Sequence, residues 1–185
     1  NKFIDIMNYK AIFFYLGIYS LLVSLFSILN ILYTIYFDYR IDLNSYIVTF
    51  VVSTLLGIIF YAIGKNNSKA ISLNDQIAFI TINFFYLPLL ISIPYYLSIY
   101  NFSLLNSYFE SVSGFTTTGF TTLRDIKNVD EPLLLWRSSS QWLGGLFFLL
   151  STIGTLGSKQ LKIKPAYFIS GGASGRNFYN NFNYN

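Results

Sequence analysis

The chain has 185 residues, 54% hydrophobic and 11% charged, a balance that excludes an ordinary soluble domain and indicates a helical membrane bundle. It contains no cysteine and no histidine, which excludes disulfides, thiolate or imidazole metal sites and Ser-His triads. The formal net charge of +4 is scattered between apolar runs and forms no basic stripe, so nucleic acid is excluded as a partner and the cations read as topology signals in a lipid bilayer.

About 20 apolar residues cross a hydrocarbon core, and four runs approach that length. The first, 11–37, is too long for the apolar core of a signal peptide and has no small-residue cleavage site. The second, 46–63, is shorter and is closed by Gly64 and Lys65. The third, 77–100, contains Pro88 and Pro94, each of which removes a backbone donor and can kink a helix; Asn74 and Asp75 supply its expected N-cap. The fourth, 133–156, is entered through Glu131-Pro132, where a proline is tolerated in the first turn.

Lysine and arginine placement orients these spans. A cytoplasmic N-terminus puts Lys2, Lys10, Lys65, Lys69, Lys159, Lys162, Lys164 and Arg176 inside, against Arg40, Arg124 and Lys127 outside, with Arg137 in a span. Both termini are then expected inside. The segment between the third and fourth spans must accordingly enter and leave the membrane on one side.

That segment is NFSLLNSYFESVSGFTTTGFTTLRDIKNVDEP, too polar to face lipid. Ser107 and Glu110 have capping-box spacing, which predicts a short helix from Ser107 to Gly114 or just beyond. Thr116, Thr117, Thr118, Gly119 and Phe120 then favour extended backbone with a turn, which exposes carbonyls. Within a bilayer such backbone must be buried in protein or line a water-filled path. Neutral oxygens there suit a monovalent cation; a divalent ion would need carboxylates, and Glu110 sits too early in the segment to supply one. On composition alone, a Thr/Gly-rich surface loop accounts for the segment equally well.

Arg137 inside a span needs a partner or a route to water, and Glu110 is the natural partner; an interfacial snorkelling arginine is the plainer alternative. Gly144-Gly145 would let another helix approach closely. Gly154 and Gly157 read as helix fraying, and the 171–175 stretch lacks the order of a phosphate loop. A second function class stays open at this point, a membrane-embedded enzyme or assembly factor holding a polar substrate on the Ser/Thr-rich loop. Its base would have to be Glu110, Asp125, Asp130 or a lysine.

ESVSGFTTTGF followed by PLLLWRSSSQWLGG resembles the first pore repeat of the TrkH/KtrB superfamily of potassium uptake proteins, and most resembles its TrkH branch. The earlier runs resemble that branch's two leading helices and first outer pore helix, so the likeness covers nearly the whole chain. Ser138-Ser139-Ser140 departs from the apolar residues expected within the second motif. The resemblance implies an all-α integral membrane protein with four transmembrane helices plus one re-entrant pore half-helix and filter loop. It implies leading helices over 1–70, one helix, pore-loop, helix repeat over 71–165, and a tail over 166–185. Thr117, Thr118 and Gly119 would be the selectivity-filter core, flanked by Thr116 and Phe120, with Glu110 and Arg137 bracing the pore helix and potassium held by carbonyls alone. No cofactor or enzymatic activity is expected. One repeat makes a quarter of a filter, so the chain is expected to be a fragment that works with the remaining repeats of a longer protein. By the same resemblance, that protein would be a homodimer with a cytoplasmic nucleotide-binding regulatory subunit, in the inner membrane of a bacterium.

Overall fold

A computed structural model of the chain describes residues 8–39, 42–65, 72–123 and 129–157. The tail 166–185, its glycine stretch, and the topology cations Lys2, Arg40, Lys69, Arg124, Lys127, Lys159, Lys162, Lys164 and Arg176 lie outside the described residues. The described residues form helices only: α1 Tyr9–Tyr36, α2 Leu43–Gly64, α3 Leu73–Leu97, α4 Leu104–Phe115 and α5 Glu131–Gly157. Helices α1, α2 and α3 are long and apolar enough to cross a membrane. Helix α5 has the length, at 27 residues, but Ser138, Ser139, Ser140 and Gln141 interrupt its apolar run.

Two helix starts differ from the sequence expectation. Helix α3 is capped by Ser72, whose hydroxyl accepts from the Asp75 amide while the Asp75 carboxylate accepts from the Ser72 amide, a reciprocal box that puts Asp75 at the third helical position. Helix α4 starts at Leu104 on Ser103, not at Ser107. Both serines are competent caps, and the Glu110 that marked the later one is spent elsewhere.

Small residues set the packing of α1 on α2. Gly17, Ser20, Ser24 and Ser27 are buried along α1, and Ser45, Thr49, Ser53 and Gly57 along α2. A Cβ on Gly17 would stand 2.6 Å from the Tyr61 amide nitrogen, and one on Gly64 would stand 2.6 Å from the Lys10 carbonyl oxygen. Lipid tails are as apolar as leucine, so helix pairs in a bilayer gain from close backbone approach more than from hydrophobic burial. The serine hydroxyls cost little here because most bond the carbonyl four residues back, and Ser24 also meets Thr54 at 2.7 Å.

The core beside this hairpin is aromatic. Tyr46, Tyr95, Phe115, Trp136 and Phe147 are all buried. The Trp136 indole donates to the Ile91 carbonyl at 3.0 Å, at the turn of α3 that Pro94 disrupts. Phe147 holds Tyr19, Phe84 and Phe115 at ring separations of 5.1, 5.5 and 5.4 Å, joining α1, α3, α4 and α5.

Three connections meet at one end of the bundle. Asp42, before α2, accepts from the Ile99 amide after α3 at 3.3 Å. The Asp130 amide, before α5, donates to the Tyr100 hydroxyl at 2.9 Å, and Tyr33 of α1 donates to Glu131 at 2.9 Å. The chain between Tyr100 and Asp130 therefore leaves and rejoins the bundle at the same end.

Candidate functional site

Helix α4 has 12 residues, about 18 Å of rise against a hydrocarbon thickness of about 30 Å. Its end is fixed from two sides. Phe115 sits in the aromatic cluster, and Gly144 of α5 lies directly against it: a Cβ on Gly144 would overlap the Phe115 carbonyl oxygen. Gly114 similarly has no room for a Cβ beside the Ser140 hydroxyl. Gly145 has open space around it, so of the glycine pair only Gly144 makes the close approach.

The turn after α4 is shaped by the carbonyls its last residues leave over. Thr117 donates to the Gly114 carbonyl at 3.0 Å and Thr118 to the Ser113 carbonyl at 3.1 Å, the paired bonds of a Schellman cap. That motif needs one residue in the left-handed region, usually glycine; here it is Thr117, at φ 58°. A β-branched residue there costs roughly 1–2 kcal/mol, so the turn stores strain. Gly119 takes a second left-handed angle, φ 84°, without that cost. The space around Gly119 is open within this chain.

Glu110 and Arg137 organise the backbone beyond this turn. The Glu110 side chain is fully buried, and its Oε2 accepts from Arg137 Nη1 in a direct ion pair. Its other oxygen accepts from the Thr121 hydroxyl at 2.8 Å, the Thr122 hydroxyl at 2.9 Å and the Thr122 amide. Arg137 Nη2 reaches the Gly119 and Phe120 carbonyls at 3.0 and 3.1 Å, and the Ser113 hydroxyl donates to the Phe120 carbonyl at 2.5 Å. One buried carboxylate and one guanidinium thus hold residues 119–122 against α4 and α5, each charge meeting several partners.

Of the five residues singled out from sequence, Gly119 and Phe120 have their carbonyls turned to Arg137. Thr116, Thr117 and Thr118 are exposed, and among the described residues their carbonyl oxygens accept no hydrogen bond. The Thr116 and Thr118 hydroxyls bond each other. Ser113, Thr121 and Thr122 escaped sequence reasoning. Their signal was present in the second threonine pair after Phe120 and in a serine three residues beyond Glu110. The Ser138, Ser139 and Ser140 hydroxyls bond carbonyls one turn back in α5, which removes the cost of placing them there. Among the described residues no group of three acidic side chains is arranged to hold a metal ion.

No family model matches the chain, and no solved structure does. Over 65 residues, 35% of this chain, it is 45% identical to the Trk system potassium uptake protein TrkI of Halomonas elongata, of which that match covers 13%. Over 59 residues, 32% of this chain, it is 42% identical to an uncharacterized cation transporter of Methanocaldococcus jannaschii, covering 12% of that protein. A longer match of 151 residues, 81% of this chain, is 26% identical to the Trk system potassium uptake protein TrkH of Halomonas elongata and covers 31% of it. The chain spans no more than about a third of the length of these relatives, which are transport proteins and not enzymes.

Proposed function

We propose that the chain, which is similar to Trk system potassium uptake proteins, belongs with the TrkH/KtrB superfamily and supplies the first pore repeat of a potassium uptake protein. In this reading 1–70 is the leading hairpin, 71–165 is the repeat and 166–185 is a tail. Helices α1, α2, α3 and α5 span the membrane, with both termini inside, and α4 is a re-entrant half-helix entering from outside. The residues Thr116, Thr117, Thr118, Gly119 and Phe120 form one quarter of the selectivity filter. The remaining repeats of a longer protein complete the ring. The assembly is a homodimer with a cytoplasmic nucleotide-binding subunit, in a bacterial inner membrane.

One observation carries the reading: a helix too short to span is followed by non-helical backbone whose first carbonyls are exposed and whose next two are held by Arg137. A half-helix turns its partially negative end toward the exposed oxygens, which suits a dehydrated monovalent cation. The same end of the bundle receives both flanks of this segment, which supports re-entry over a fifth crossing.

The test uses the full-length protein in cells lacking other potassium systems, with expression matched. Gly119→Ser is expected to leave membrane insertion intact, weaken rubidium uptake partially and relax discrimination against sodium, because φ 84° is costly for a residue with a Cβ. Unchanged affinity and selectivity would remove Gly119 from the filter.

A further inference from the structure

A second arrangement of charged groups lies away from the α4 loop, where the three connections meet. Asp42 is 4% exposed, yet its side chain does not cap α2. One of its oxygens accepts from Ile99; the other, Oδ2, is buried without a hydrogen-bond partner. The Asp130 carboxyl is its neighbour, because the consecutive residues Ile99 and Tyr100 bond Asp42 and Asp130 respectively. Asp130 is itself held by Tyr100, whose hydroxyl donates to Asp130 Oδ1 and accepts from its amide. The hydroxyl of the fully buried Tyr46 faces both carboxyls and also lacks a partner.

Asp42 is buried and Asp130 half-buried, and two neighbouring carboxylates so placed resist carrying both charges unless a cation lies between them. The described groups around them are Tyr46 from α2, Tyr95 beside it from α3, Tyr100, Tyr39 after α1, and Glu131, which is taken up by Tyr33. None of these is positive, and among the described residues the lysines and arginines form no ion pair with either acid.

We propose that Asp42 and Asp130 form a proton-binding site, in which one shared proton bridges the two carboxyls and ties the α1–α2 connection to the first turn of α5. The proton gives the unpartnered Asp42 oxygen its missing bond. Burial, and next the hydrogen bond and charge of Asp130, push the Asp42 carboxyl up to about 6 from an ordinary 3.8. A raised acid stabilises the fold fully below its unfolded value, and that contribution is lost as pH rises through the folded value. The tie is therefore closed in acid and open above about pH 6.

The test is an infrared titration of the purified full-length protein, carrying isotope-labelled aspartate, between about pH 4.5 and 8, with thermal melting across the same range. The expected result is a protonated-carboxyl band that disappears with a midpoint near 6. It should be missing from both Asp42→Asn and Asp130→Asn, and the melting temperature should fall with pH in the unmodified protein alone. The titration of the unmodified protein decides even where a variant does not fold: no such band would overturn the site. So would a band that survives in both variants, or one displaced by sodium or potassium at constant pH, which would make this a metal-cation site.

Discussion

The α1–α2 hairpin and the loop after α4 both bring one stretch of backbone against another, and they do it by opposite means. In the hairpin, side chains are removed: Gly17, Gly57 and Gly64 let two regular helices touch, and away from the helix ends the main-chain groups are already bonded within their own helices. In the loop, side chains are added: residues 119–122 have no helix of their own, so Glu110, Arg137 and Ser113 meet their polar atoms one by one. A regular helix needs only a matching shape in a medium without water. Irregular backbone needs a named partner for each group.

The sharpest way to break the comparison is to remove one charge of the loop. Glu110→Ala or Arg137→Ala leaves the other charge buried and unpaired, at a cost of about 3–5 kcal/mol. Folded full-length protein measured by detergent-resistant gel filtration should fall steeply for each. The double variant should lose much less than the sum, and additive losses would argue that the pair is not coupled. Smaller effects are expected where a methyl group is pushed into a close approach. Gly64→Ala or Gly17→Ala should cost about 1–3 kcal/mol through overpacking of the hairpin, and Gly144→Ala a similar amount through displacement of Phe115. The two classes should separate in function, with melting and uptake falling together in the hairpin variants and uptake falling further than melting in Gly144→Ala. The smallest effect has the opposite sign. Thr117→Gly relieves the left-handed angle and should stabilise by about 0.5–1 kcal/mol after the entropy cost of glycine. If rubidium-over-sodium preference drops in that more stable protein, the strain at Thr117 belongs to the filter and not to the cap.

Much of the hairpin and of the loop was legible in the sequence, for different reasons. Long apolar runs marked α1, α2 and α3 because a helix suited to a membrane satisfies its own backbone, so composition alone reveals it. The loop showed through chemistry, since Thr116 to Phe120 is too polar for lipid and too short of acids for a divalent ion. What stayed hidden depends on pairing between distant elements. Gly17 and Gly57 carry no mark that they meet, and nothing in the sequence pairs Asp42 with Asp130, which stood out only as one candidate base among several. The start of α4 was misplaced because a local spacing rule matched Ser107 and Glu110, while tertiary contacts had already claimed Glu110 for Thr121, Thr122 and Arg137.

The division of Arg137 between a carboxylate and two carbonyls has an electrical consequence for any ion beside the loop. Taken with Glu110, the arginine adds no net charge to the wall, only a dipole whose positive end lies at Gly119 and Phe120. The closing end of α4 carries partial negative charge near Thr116. A cation moving along the loop from Phe120 toward Thr116 therefore descends a potential gradient built from neutral components, strongest where the carbonyls are unengaged. Neutralising Glu110 alone would leave the guanidinium uncompensated and turn that gradient into a barrier at its own entrance.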